Sequence, residues 1–261
     1  MWSSRFRKLG KGGGFTLIEV MVVLVILTVM MSGLAVPLAA QLQLRRQEEA
    51  RRQLDEAKEA ILGFAVAHAR LPCPASAASA GMESFAAGGD ATNGNCSNFY
   101  DGFLPGAALG MAPLAGGFVR DPWMSTGSRV RYAVFGGGSN VNGVVNPLTR
   151  ANGMQAATLA GLGAAPHFIV ICSTGARAGA STCGPAANQL TFRAAFVLLS
   201  LGANGAAQPP AGSDEARNLA GNPLFIYRDP SNAAGNEFDD LVHWVPVHLV
   251  VNRLLVAGRL P

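Results

Sequence analysis

Charge is scarce in this sequence. Asp, Glu, Lys and Arg make up 14% of its 261 residues, and none of them falls between Val20 and Leu44. No acidic residue precedes Gly14. Four histidines are scattered singly and the four cysteines form no CxxC pair, so the usual spacing of a structural zinc site is missing. There is no GxxxxGK(S/T) phosphate loop, HExxH helix or GxSxG elbow. The commonest machinery of phosphoryl transfer, zinc proteolysis and serine hydrolysis therefore has no motif to sit on. Gly161-Leu162-Gly163 precedes an apolar run, the reverse of the order a dinucleotide fold requires. Gly136-Gly137-Gly138-Ser139-Asn140 follows a strand pattern and reads as a turn. The expectation is a non-enzymatic protein with no catalytic residues and no organic cofactor.

What charge there is has a position. The sequence pI of about 9.1 suggests a nucleic-acid partner. Yet four basic residues, Arg5, Arg7, Lys8 and Lys11, lie before Gly14, leaving 20 − 4 = 16 basic against 16 acidic side chains after it. A neutral remainder offers no electrostatic footprint for phosphate, which argues against nucleic acid as a partner. The 25 uncharged residues Val20–Leu44 would make a helix about 37 Å long, enough to cross a bilayer core of roughly 30 Å. Basic residues before this run and mixed charge after it place the N-terminus in the cytoplasm and the bulk of the chain outside.

A removable secretory signal is the plain alternative, but the apolar run is long and a cut after Ala40 would put Leu38 where a small residue is wanted. Two further features favour a different reading. Gly12, Gly13 and Gly14 form a flexible hinge that exposes backbone to a protease at the membrane face. Glu19 stands alone in an apolar segment, and an intramembrane carboxylate marks function, with a partner to be named. If the chain were cut after Gly14, the ammonium of Phe15 would be the obvious cation at that depth.

Gly14-Phe15-Thr16-Leu17-Ile18-Glu19 resembles the processing site of type IV pilins and type II secretion pseudopilins. The resemblance implies that a prepilin peptidase cuts between Gly14 and Phe15 and methylates Phe15. It also implies that Glu19 neutralises the N-terminal amine of a neighbouring subunit during assembly. The implied organisation is a cleaved basic leader over 1–14, a transmembrane and filament-core helix over 15–44, and a periplasmic pilin-like domain over 45–261. The implied protein is a single-pass inner-membrane subunit, extractable into an envelope filament. Its partners are the prepilin peptidase, other pilin or pseudopilin subunits, the inner-membrane assembly platform and the membrane itself. The host machine stays open among type II secretion, type IV pili, competence and an orphan system, with a type IV pilus or type II secretion pseudopilus favoured, and a tip or adaptor subunit that captures a secreted protein, DNA or a surface is the alternative role.

The fold expected is α+β: a long helix, transmembrane then amphipathic, lying on a small antiparallel sheet. Leu54, Ile61, Ala65 and His68, flanked by Ala57 and Phe64, recur at helical spacing up to Arg70, where Pro72 disfavours continuation. The intervening charges read as a solvated face, with a partner stripe as the alternative. Gly33 and Pro37 interrupt the run, and Pro37 should kink or locally melt it. Strands are expected at Arg129–Phe135, His167–Cys172, Phe192–Leu201, Pro223–Tyr227 and Leu241–Val247, with a terminal helix over Val247–Ala257. Trp123 and Trp244 are expected in the core.

Outside the membrane, an even number of cysteines favours disulfides. Cys73–Cys96 and Cys172–Cys183, the neighbour pairing among three connectivities, is expected. Three looser similarities follow the family comparison: Arg120-Asp121-Pro122-Trp123 with Arg131-Tyr132, the turn Ser200–Gly205, and Asp239-Asp240-Leu241-Val242-His243-Trp244. The last resembles a calcium-binding turn of some pseudopilins and nominates Asp239 and Asp240 as metal ligands, with Asp229, Glu237, Asn232 and Asn236 nearby. A solvated acidic turn is the alternative. The 33 residues Ala206–Phe238 exceed what a typical major subunit carries, which points to a minor subunit.

Overall fold

A computed structural model describes residues 14, 16–123, 128–205 and 207–260, and of residues 31–40 the helical backbone only. The chain divides into two units, Met1–Arg45 and Arg46–Pro261. Helix α1 spans Leu17–His68. In the first unit its described side chains stand exposed from Leu17 to Met30. Among the described residues no helix is long and apolar enough to cross a membrane. The expected span runs through residues 31–40, whose side chains lie outside the described set. The helical backbone continues through Gly33 and Pro37, so of the kink or local melting expected at Pro37 the melting does not occur.

The second unit takes in the rest of α1 and all the strands. In chain order these are β1 (Gly102–Phe103), β2 (Arg131–Val134), β3 (Asn140–Val141), β4 (Val144–Val145), β5 (Ile169–Cys172), β6 (Gln189–Ser200), β7 (Leu224–Ile226) and β8 (Leu241–Pro246). Helices α2 (Gly153–Ala157), α3 (Leu159–Ala164), α4 (Asp214–Asn218) and α5 (Val247–Val256) complete it. The 12-residue β6 is the hub: its first half pairs with β5, its second half with β2 and β8, all antiparallel. Strand β7 adds to β5 in parallel, Val170 opposite Leu224 and Cys172 opposite Ile226. The sheet is therefore mixed, which corrects the antiparallel expectation. A parallel neighbour needs a long crossover, and the segment containing α4 supplies it.

The amphipathic half of α1 packs as its spacing dictates. Leu54, Ala57, Ile61, Leu62 and Ala65 are at most 2% exposed and share one core with Tyr132, Phe168, Phe196, Leu198, Val245, Val250 and Leu254. His68, expected at the core or its edge, takes the edge. It lies exposed at the helix end, stacked on Phe64 at 4.0 Å, because the left-handed Ala69 ends the helix there. Trp123 and Trp244 are half-buried rather than core; Trp244 rests edge-on against Tyr227. On β5 the side chains alternate, as strand geometry demands. Ile169 and Ile171 join the main core, whereas Val170 and Cys172 join a second cluster with Cys183, Leu224, Ile226 and Phe238. Burial on both faces explains why this run reads as continuously apolar.

Two disulfides staple the loops, Cys73–Cys96 and Cys172–Cys183. Beside the first, the Arg70 guanidinium meets Glu83 with both forks, at 2.6 and 2.7 Å, while Glu83 also accepts the Cys73 N–H at 2.7 Å. Phe64 and Phe85 lie against that guanidinium, and the buried Tyr132 hydroxyl donates to the Pro72 carbonyl. This cluster fixes how the chain leaves α1.

Candidate functional site

Two places carry the residues singled out by the sequence. The first is the start of α1. Gly14 is exposed, with open space where a Cβ would stand. Phe15 lies outside the described residues. Thr16 and Glu19 are three residues apart, and the helix begins between them. The Glu19 N–H donates to the Thr16 hydroxyl at 3.3 Å, and the Glu19 carboxylate accepts from the Thr16 N–H and hydroxyl at 3.4 Å. This is a reciprocal capping box, which satisfies amide donors that the first helical turn leaves free. The T-x-x-E spacing was visible in the sequence, so this second role of Glu19 could have been read there.

The second place is where β6 ends and β8 begins. The register puts Ser200 opposite Leu241. The turn after β6 therefore lies beside the Asp239-Asp240 pair, and the two segments compared with pseudopilins meet. Ala203 and Asn204 donate their backbone N–H groups to Asp239 Oδ2 at 2.8 and 3.1 Å. Gly202 has φ +66, and a Cβ there would lie 2.2 Å from Asp239 Oδ1. Only glycine suits both that backbone and that approach.

Glu215, from α4, completes the cluster and was not anticipated. Carboxylate oxygens of Glu215, Asp239 and Asp240 all lie within 4.8 Å of one another. Glu215 is buried, accepting from Asn204 Nδ2 at 2.9 Å and from the Asp239 N–H at 2.9 Å. Asp240 accepts from Asn218 Nδ2 at 2.7 Å. Asn218 also bonds the Ile226 backbone in both directions, so it ties α4 to β7. Asp229 and Glu237 do not join the cluster, so the acidic turn contributes only its last two residues.

Electrostatics are strained here. Burial pushes the Asp240 carboxyl up to about 8, with Glu215, Asp239 and Asp121 adding repulsion and Asn218 opposing it. Burial raises Asp239 as well, and raises the buried Asp121, whose carboxylate accepts the Leu201 and Trp123 N–H groups. Asp239 Oδ1 is shielded from water without a hydrogen-bond partner among the described residues. No Lys, Arg or His among the described residues forms an ion pair with Glu215, Asp239 or Asp240. An all-oxygen set with one orphaned acceptor and mutually repelling carboxylates fits a hard cation such as calcium.

Residues 11–35 match the family model described as the prokaryotic N-terminal methylation motif. No curated protein and no solved structure matches the chain at a significant level. The N-terminus thus carries the methylation motif that is the signature of type IV pilins and pseudopilins. That motif implies processing by a prepilin peptidase, anchoring in a membrane and assembly with other pilin subunits.

Proposed function

We propose that the chain is a structural subunit, a minor pilin or pseudopilin, of a type IV pilus or type II secretion pseudopilus. The methylation motif over residues 11–35 carries this reading. On it, cleavage between Gly14 and Phe15 leaves 261 − 14 = 247 residues with a methylated N-terminus. The apolar first half of α1 then holds the subunit in the inner membrane, N-terminus inward and globular domain in the periplasm, until it is drawn into the filament. Association of apolar helices drives assembly, and Glu19 leaves its capping box to pair with a neighbour's terminal amine. The role is structural rather than catalytic. Intact-mass measurement of the membrane-extracted protein tests it: a chain retaining Met1 to Gly14 in cells with active prepilin peptidase refutes it.

The cluster of Glu215, Asp239 and Asp240 is read as a calcium site that locks the turn after β6 to the start of β8. Calcium, when bound, offsets the repulsion among the three carboxylates. The chain's part is to hold them ready: the N–H groups of Ala203 and Asn204 orient Asp239, and Asn218 orients Asp240. Millimolar calcium should raise the melting temperature of the detergent-solubilised full chain, since a ligand of the folded state alone stabilises it. Asp239→Ala with Asp240→Ala should abolish the rise, and a melting curve indifferent to calcium and chelator would return the cluster to a proton-sharing acidic turn.

A further inference from the structure

Residues 207–238 build one wall of a cleft. The opposite wall is the loop closed by the Cys172–Cys183 disulfide. The cleft holds about 540 Å³ and is lined by Thr174, Gly175, Arg177, Ser213, Arg217 and Glu237 among others. That volume falls within the range of small-ligand sites.

Its cations are unevenly committed. Arg228 is paired with Asp214 at 2.8 Å and donates to the Asn236 carbonyl. The side chains of Arg177 and Arg217 make no ion pair or hydrogen bond with any described residue, and Arg217 Nε is shielded from water with no acceptor. A buried donor left unpaired is unfavourable, and a guanidinium binds carboxylates with two parallel N–H bonds. The loop is shaped around these groups. Gly175 donates its N–H to Asp214 at 2.7 Å, and a Cβ on Gly175 would lie 2.6 Å from Arg217 Nε. Arg177 sits in the left-handed region at φ +63, where a non-glycine residue is held only by its surroundings. A Cβ at Gly184 would strike its carbonyl at 2.6 Å.

We infer that this cleft binds an extended peptide segment through a carboxylate, with Arg217 and Arg177 as the anchoring pair. The acidic lining chooses a peptide over a polyanion. Asp214 is neutralised by Arg228, but the exposed Glu237 remains on the wall. It repels a run of phosphates yet accepts the N–H groups and cationic side chains that a polypeptide offers. Both walls fold back on the sheet through the second hydrophobic cluster, so the cleft is rigidly backed.

The test uses the full chain in detergent micelles and three tripeptides. Ala-Glu-Ala amide carries a side-chain carboxylate, Ala-Ala-Ala acid a terminal one, and Ala-Gln-Ala amide neither. Saturable binding of one or both acidic peptides, weakened by salt and absent for the neutral control, is the expected result, and which acid binds identifies the carboxylate's source. Arg217→Gln should weaken that binding by about tenfold or more, the worth of one charge-assisted fork. Arg177→Gln, at an exposed position, should weaken it without altering the melting temperature, which covers the case in which the Arg217 variant misfolds. No binding of either acid up to about 10 mM, the limit of a useful site, overturns the inference. So does equal binding by Arg177→Gln, or binding of inorganic phosphate in place of the peptides. Since the isolated chain is measured, these outcomes leave the cleavage test of the filament reading untouched.

Discussion

Removing Glu83 should be among the most damaging single changes outside the hydrophobic core. Its partner Arg70 has a side chain only 7% exposed, and Glu83's own is 13% exposed. Glu83→Ala leaves a guanidinium enclosed by Phe64 and Phe85 with no counter-charge, and frees the Cys73 N–H. Breaking one side of a buried pair costs about 3–5 kcal/mol. For a domain of this size 1 kcal/mol shifts the melting temperature by about 2–4 °C. The expected fall is therefore on the order of 10 °C for the oxidised, detergent-solubilised protein followed by circular dichroism. Arg70→Met combined with Glu83→Met removes both charges and should recover much of the loss, leaving about 1–3 kcal/mol for the orphaned amide. A fall under 3 °C for Glu83→Ala, or a double variant worse than the single one, would show that the pair is not held as a desolvated unit.

Glu19→Ala should enter the membrane at least as well as the native chain but be depleted from sheared filaments; equal incorporation on immunoblots would remove its assembly role. Thr16→Val deletes the hydroxyl of the capping box but not the carboxylate, so incorporation close to native would separate capping from pairing. Cys172→Ser with Cys183→Ser opens a loop of sequence separation 11 and should destabilise the domain by about 3 kcal/mol, read by thermal melting. Gly202→Ala should drive a Cβ into Asp239 and abolish any calcium-dependent rise in melting temperature. Without divalent cation, stability should fall as pH rises from about 4 to about 8. The sign follows from Asp240: its folded value of about 8 lies above the ordinary 3.8, so the folded state holds the extra proton and loses that advantage as pH climbs. Asp240→Asn should flatten the pH dependence of the melting temperature, and an unchanged slope would contradict the assignment.

Local pattern and covalent spacing were legible in the sequence. The motif Gly14–Glu19, the apolar face Leu54–Ala65, the strand runs and the terminal helix are each set by neighbours a few residues apart, where period and composition act directly. Each disulfide joins cysteines adjacent in the order of the four, at separations of 23 and 11 residues. Contacts between distant segments were not legible. Strand β7 pairs parallel to β5 because the chain between them crosses over, and no local periodicity records the direction of a returning strand. Glu215 reaches Asp239 and Asp240 because Asn218 ties α4 to β7. Sequence proximity instead nominated Asp229 and Glu237, which the fold leaves out. His68 kept helical spacing but lost burial where α1 ends. Periodicity, charge order and the cleavage motif thus came from the sequence alone. Which carboxylates share one site, and which arginines are left without partners, was decided by packing, because desolvation and Coulomb repulsion depend on distance in space.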